Sequence, residues 1–239
     1  MTLLGFTKYN EVVIIKIMRG DENRMSKVIS IDQALDYVVD SSVIMIGGFL
    51  GTGTPEKLVD ALISRGCKGL TIIGNDTGYP DRGIGKLIVN HQVKKAIVSH
   101  VGTNPETGRQ MHAKELEVEL VPQGTLIERI RSGGAGLGGV LTPTGVGTVI
   151  AEGKPTILVE GKSFLLEKPL RGEIAFVKAD KADMQGNLIF RRSARNFNPT
   201  IATAADIVIV EVKNIVAVGE LDPDDVMLPG LFVDYLVQG

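Results

Sequence analysis

Residues 43–55 read VIMIGGFLGTGTP, and no other stretch restricts the fold so tightly. Val43, Ile44, Met45 and Ile46 form a short unbroken apolar run, the pattern of a strand buried on both faces of a parallel sheet. Gly47, Gly48, Gly51 and Gly53 follow within seven residues. Thr54 then reads as an N-cap and Pro55 as the first residue of a helix carrying Leu58, Leu62 and Ile63. A strand, a glycine loop and a helix N-terminus together offer backbone N–H groups to an anionic or carbonyl oxygen. Glycines also serve tight turns that bind nothing, but four in seven residues ask for backbone to come close to something else.

The same rhythm continues. Ser30 is positioned to cap a helix with Ala34, Leu35 and Val38 on one face. Gly66 ends the helix that starts near Pro55, and residues 70–73 form the next strand. A turn-rich loop over residues 74–83 leads to a short helix over 83–90, a strand over 95–99 and a helical turn at Pro105. Residues 116–121 alternate apolar and acidic, as in a strand with one exposed face. Thr125 followed by Glu128 reads as a capping box on a short helix that Gly133 and Gly134 stop. Strand followed by loop and helix, repeated, is the pattern of a parallel sheet.

From Pro155 the pattern changes. Residues 157–167 predict a β-hairpin turning at Gly161 and Lys162, and residues 174–190 a strand, loop and strand turning near Gly186. Asn198 and Pro199 are expected to cap a helix through Ala205, with strands over 207–212 and 231–237. Residues 25–239 therefore predict one α/β domain with an open, mainly parallel sheet, flanking helices and an antiparallel section in its C-terminal part. Residues 1–24 read as an extension outside that core, with the folded pattern starting at Met25.

Composition narrows the function. A net charge of −2 gives no field to draw nucleic acid or an anionic membrane, and the absence of tryptophan leaves few stacking platforms for bases. No apolar run approaches the roughly 20 residues of a membrane span. The lone cysteine, Cys67, forms no internal disulfide and suits a reducing cytoplasm.

The glycine loop fails two phosphate motifs. The dinucleotide fingerprint needs glycine where Glu56 stands, and the P-loop needs lysine where Thr54 stands. His91, His100 and His112 lack metal-ligand spacing and read as surface residues, so no metal site is expected. Ser99 and His100 are neighbours on one expected strand, so their side chains point to opposite faces. What remains is a set of loops at the carboxyl ends of successive strands, where open parallel sheets bind ligands. They carry the neutral amides Asn75, Asn104 and Gln123 but no nucleophile. Such a site holds and polarises a ligand while the reactive group comes from elsewhere.

DSSVIMIGGFLGTGTP resembles the N-terminal signature of the alpha subunit of the family I (3-oxoacid) CoA-transferases, with Ser41 where that family usually has glycine or asparagine. GLTIIGNDTG, SHVGTNPETG, ELVPQGTLIERIRSGGAGLGGVLTPTGVGT and SARNFNP are similar to further blocks, so the likeness runs from about Met25 to the C-terminus. GAGLGG together with GTNPETG is most similar to the bacterial acetate/butyrate–acetoacetate branch. The resemblance implies an open α/β fold and ping-pong transfer of CoA between short-chain acyl-CoA or acetoacetyl-CoA and a carboxylic acid such as acetate or butyrate. It implies a glutamyl-CoA thioester reached through an anhydride. The family's glutamate lies in a Ser-Glu-Asn-Gly motif of the beta subunit, which this chain lacks. Activity is therefore expected only in a hetero-oligomer with a beta subunit.

By the same resemblance Gly47, Gly48, Phe49, Leu50, Gly51, Thr52 and Gly53 match the CoA-binding loop, with CoA a substrate and no tightly bound cofactor. Gln123 matches an oxyanion-stabilising glutamine and Asn75 a polar residue of the same site. The plainer readings are a turn residue after Pro122 for Gln123 and an Asx-type turn for Asn75. Arg191, Arg192 and Arg195 are candidates for CoA phosphates or partner carboxylates, with a salt bridge as the default. The alternative function is a non-catalytic acyl-CoA-binding or regulatory subunit. A sugar-phosphate isomerase on a related sheet would need an acid–base carboxylate and lysine in the cleft, and no such set is visible.

Overall fold

Ser30 opens the first helix through a reciprocal cap: its Oγ accepts from Gln33 N at 3.2 Å, and Gln33 Oε1 accepts from Ser30 N at 2.9 Å. This is α1 (Ile31–Leu35), within the computed structural model that describes residues 27–239. The expected boundary between residues 24 and 25 lies outside the described residues. The chain continues through β1 (Val43–Ile46), α2 (Glu56–Arg65), β2 (Leu70–Ile73), α3 (Ile84–Val89) and β3 (Val93–Val98). Then come α4 (Pro105–His112), β4 (Glu117–Leu120) and α5 (Gln123–Gly134). A three-stranded antiparallel sheet follows, built from β5 (Val140–Thr142), β6 (Thr156–Val159) and β7 (Lys162–Glu167) in the order β5-β7-β6. The last part holds β8 (Gly172–Asp183), β9 (Leu188–Ile189), α6 (Asn198–Thr203), β10 (Ala205–Val216) and β11 (Tyr235–Gln238).

The main sheet runs β11-β10-β8-β1-β2-β3-β4 with parallel pairing throughout, and β9 adds an antiparallel edge to β8. From β1 the chain winds one way through β2, β3 and β4, and later the other way through β8, β10 and β11. The order therefore reverses between β1 and β8, and ligands of such sheets bind outside the strand carboxyl ends at that reversal. The glycine loop leaves β1 at that point.

Both faces of β1 are covered, which is why its four residues are all apolar. Ile44 and Ile46 point into a core with Leu58 and Leu62 of α2 and Leu87 and Ile88 of α3. Met45 points the other way, to Leu126 and Ile130 of α5 and Ile201 of α6. Full burial of a side chain of this size stabilises by about 2 kcal/mol. Among the described residues no helix is long and apolar enough to cross a membrane.

Several expected boundaries move, each for a local reason. The β6–β7 turn uses Glu160 (φ +48°) and Gly161 (φ +77°), because Val159 pairs with Lys162. Two central residues at positive φ match the twist of the flanking strands. Thr125 caps nothing: α5 starts at Gln123 after Pro122, and Thr125 is buried with its hydroxyl unpartnered among the described residues. The helix ends at Gly134 as expected, but Gly133 and Gly134 form its last turn rather than a left-handed cap. A Cβ there would lie 2.1 Å from Leu170 O or 2.2 Å from Thr203 Oγ1, so they are small to let neighbours in. Asn198 is the first residue of α6 rather than its cap, and α6 ends at Thr203 before β10 begins at Ala205. Residues 230–232 form a 3-10 turn, so the last strand begins at Tyr235. Ser99 and His100 follow the end of β3, and all three histidines are exposed.

Candidate active site

The glycine loop is a tight turn fastened on three sides. Phe49 and Thr52 exchange backbone hydrogen bonds at 3.0 and 2.9 Å, which puts Leu50 (φ +49°) and Gly51 (φ +86°) at the bend. A left-handed leucine costs roughly 1–2 kcal/mol, and Asp76 helps hold it by accepting from Leu50 N at 2.9 Å. On the other side Asn196 Nδ2 donates to Thr52 O at 2.9 Å, and Asn198 Nδ2 to Gly53 O at 2.9 Å. Asn198 is fully buried and also accepts from Lys178 N at 2.9 Å, so its amide joins the loop to β8. These contacts explain two glycines: a Cβ on Gly47 would lie 1.9 Å from Asn198 Oδ1, and one on Gly53 2.5 Å from Ala194 O. Among the described residues the N–H groups of Gly48, Gly51 and Gly53 have no acceptor, and Phe49 is exposed. Gly48 is buried, while Gly51 and Gly53 are half-buried.

The helix that follows offers nothing more. Pro55 occupies the N-cap of α2, and Thr54, expected there, is buried and makes no cap bond. Glu211 of β10 takes the place of a cap: its Oε2 accepts from Lys57 N at 2.8 Å and Leu58 N at 3.1 Å. Its other oxygen bonds Lys178 Nζ, and the carboxylate is 1% exposed. A helix N-terminus favours a negative charge through its unsatisfied N–H groups and dipole. Here the protein fills that position itself.

The loop after β2 is knitted to the first. Asn75 is buried, with Nδ2 donating to Asp76 Oδ2 at 2.7 Å and its carbonyl accepting from Ser99 Oγ at 2.7 Å. Asp76 Oδ1 accepts from Gly78 N at 2.8 Å, so the Asx turn in this loop belongs to Asp76. Asn104 caps α4 through Glu106 N at 3.2 Å and donates to Thr77 O at 3.3 Å. Glu56 accepts from Gly83 N at 3.1 Å and pairs with Lys86 at 2.7 Å. Burial alone lowers the Lys86 pKa, but its bonds to Asp60 and Glu56 outweigh that and raise it.

Gln123 stands apart. It is the exposed first residue of α5, its amide without a partner among the described residues. Its strand, β4, is three spacings along the sheet from β1, about 14 Å. The fold thus brings the glycine loop and Asn75 into one cluster and puts Gln123 at the rim of the same sheet edge.

The family model for coenzyme A transferase matches residues 28–239. The chain belongs to the coenzyme A transferase family. It is 55% identical over 212 residues to the acetate CoA-transferase subunit alpha of Escherichia coli (strain K12), covering 89% of this chain and 96% of that one. It is 51% identical over 213 residues to the acetoacetyl-CoA:acetate/butyrate CoA transferase alpha subunit of Clostridium acetobutylicum, covering 89% and 98%. Among solved structures, glutaconate coenzyme A-transferase from Acidaminococcus fermentans matches with a TM-score of 0.80 at 20% identity, over 90% of this chain and 76% of that one. The acyl-CoA transferase of E. coli O157:H7, solved as a thioester complex with CoA, matches with a TM-score of 0.79 at 24% identity. That match covers 90% of this chain and 47% of the other, so this chain spans about half its length. These structural likenesses show the fold.

In this coenzyme A transferase chain the residues that position the site are largely not those that sequence singles out. Asp76, Asn196 and Asn198 pin the glycine loop, and Glu211 caps its helix. Asp76 sits inside the GNDTG turn and the two asparagines inside SARNFNP, so a polar residue in a glycine-flanked block is the signal available for them. Glu211 lies in an apolar strand, IVIVEV, where an acidic residue is itself the anomaly.

Proposed function

We propose that this chain is the alpha subunit of an enzyme that moves CoA between acetoacetyl-CoA or a short-chain acyl-CoA and a carboxylate such as acetate or butyrate. A glutamate of a separate beta subunit attacks the thioester carbonyl, and the CoA thiolate leaves as an acyl-glutamyl anhydride forms. The thiolate then attacks the glutamyl carbonyl, which releases the first carboxylate and leaves a glutamyl-CoA thioester. The acceptor acid reverses these steps. The N–H groups of Gly48, Gly51 and Gly53 hold CoA in this reading, with Phe49, Leu50 and Thr52 shaping the turn. The Gln123 amide donates to the oxyanion that develops on the attacked carbonyl. Asn75, whose amide is bonded to Asp76, keeps the site's polar wall in place.

The observation that carries this reading is a ligand loop with no nucleophile of its own. The carboxylates that touch the loop or its helix are already engaged: Asp76 by Leu50 and Gly78, Glu211 by α2 and Lys178, Glu56 by Gly83 and Lys86, Asp60 by Lys86, and Asp36 by Arg65. The likeness to chains named alpha subunits supports the need for a second chain. The test is acetoacetyl-CoA consumption with acetate by the purified chain, by its beta partner and by their mixture. Turnover only in the mixture is expected. Full activity from this chain alone would refute the two-subunit reading.

A further inference from the structure

A cleft of about 350 Å³ opens beside the glycine loop, between Thr52, residues 178–180 of β8, residues 191–194 and Lys213 of β10. It lies where the sheet order reverses, outside the carboxyl end of β1. Its charge is lopsided. Arg191, Arg192 and Lys213 line it against one free carboxylate, Asp180, while Lys178 is neutralised by Glu211. Elsewhere among the described residues the arginines are paired: Arg65, Arg82, Arg109, Arg129, Arg131 and Arg171 each meet a carboxylate. Among the described residues Arg191, Arg192 and Arg195 meet none, and all three are exposed. The salt bridge expected by default for these three is therefore not made within the described chain.

Arg192 also sits at φ +52°, a left-handed conformation that a non-glycine residue adopts at a cost. Such strain gathers at ligand clamps, where the surrounding structure enforces it. The anion position at the α2 N-terminus is occupied by Glu211, so an anionic ligand reaching this crevice has to be met by side chains instead. Guanidinium groups bind phosphate through paired, charge-assisted hydrogen bonds.

We propose that the Arg191–Arg192–Lys213 cleft binds the phosphate groups of the 3′-phospho-ADP portion of CoA, which rests on the reading of the chain as a CoA-transferase subunit. The acyl-pantetheine end then reaches the glycine loop, whose Thr52 forms one wall of the same cleft.

The test compares acetoacetyl-CoA with acetoacetyl-pantetheine, which keeps the thioester and lacks the phosphates. The enzyme is this chain reconstituted with its beta subunit, as wild type, as Arg191→Ala/Arg192→Ala and as Lys213→Ala. Expected is a fall of about tenfold or more in kcat/KM for acetoacetyl-CoA in the double variant, a smaller fall for Lys213→Ala, and pantetheine turnover within about twofold of wild type. Retained pantetheine turnover also reports that the variants are folded and assembled. Equal losses on both substrates, or no loss on either, would overturn the proposal. A weakened association of the two subunits with parallel losses on both substrates would assign the arginines to partner carboxylates and overturn it too. Calorimetric binding of CoA and pantetheine to the same complexes separates this proposal from the functional reading beneath it. Tighter CoA binding that depends on the arginines, in a complex that turns over neither thioester, would sink the transferase reading and leave the phosphate cleft standing.

Discussion

Replacing Glu211 is the sharpest probe of how the glycine loop is held. Its carboxylate accepts from two α2 backbone N–H groups at 2.8 and 3.1 Å and from Lys178 Nζ, at 1% exposure. Hydrogen bonds to a charged acceptor contribute about 1.5 kcal/mol each at the low end of their range, so the helix start alone stands to lose about 3 kcal/mol. Removing one member of a buried ion pair costs about 3–5 kcal/mol, but the Lys178 side chain is 28% exposed and can turn to water. The low end therefore applies, and Glu211→Ala is expected to cost about 3–4 kcal/mol in total. Glu211→Gln keeps an acceptor for the helix and loses only the charge, which lowers the cost to about 2 kcal/mol. Adding Lys178→Met to Glu211→Gln should recover little of that, because the Lys178 ammonium can already turn to water. Equilibrium urea unfolding followed by far-UV circular dichroism measures all three. A loss below about 1 kcal/mol for Glu211→Ala would mean that the carboxylate does not cap α2 in solution.

Gln123→Ala should lower turnover of the reconstituted enzyme about a hundredfold or more without changing assembly with the beta subunit, and near-normal turnover would remove Gln123 from the mechanism. Thr125→Val should be neutral or stabilising in thermal unfolding, because it deletes a buried hydroxyl that has no partner. A capping threonine would instead cost about 1 kcal/mol on replacement. The Glu106 carboxyl is held down from 4.5 to about 2, first by its hydrogen bond with Arg109 and then by Gln110. Its folded pKa is depressed, so the stability it contributes is complete above about 4.5 and is lost as pH falls toward 2. Unfolding free energy measured across that window should fall less steeply in Arg109→Ala, and an unchanged slope would show that the exposed pair contributes nothing.

The elements readable to the residue are those whose determinants are local. β1 is apolar because both its faces are buried, and Gly66 ends α2 because a left-handed residue is needed there. The three misplaced caps, Thr54, Thr125 and Asn198, share one cause. Each is a polar residue near a helix start, and the capping rules weigh only its sequence neighbours. Thr54 and Thr125 were instead buried by tertiary packing, while Asn198 was turned toward the glycine loop and β8. The acceptor that α2 does use comes from Glu211, 153 residues beyond Leu58, and no local pattern encodes that distance. The arginines were visible as a cluster, but only the absence of partners around them in the fold distinguishes them from ordinary surface charge.

The same long-range contact divides the labour of the site. A strand, glycine loop and helix N-terminus would ordinarily be read as one anion cradle, with the loop and the helix dipole acting on the same charge. Glu211 separates them. A fixed carboxylate at the helix start satisfies the dipole and repels a second anion placed beside it, because two like charges in a partly buried position raise each other's cost. What remains in the loop are backbone N–H groups at Gly48, Gly51 and Gly53 that have no acceptor among the described residues, and in the proposed reading these neutral donors meet carbonyl oxygens along a neutral chain. The full negative charges of the ligand are then best met at the arginine side of the crevice, where Arg191, Arg192 and Lys213 outnumber the single carboxylate of Asp180. A ligand with phosphates at one end and an amide- and thioester-bearing arm at the other matches that division, and a compact phosphate compound does not.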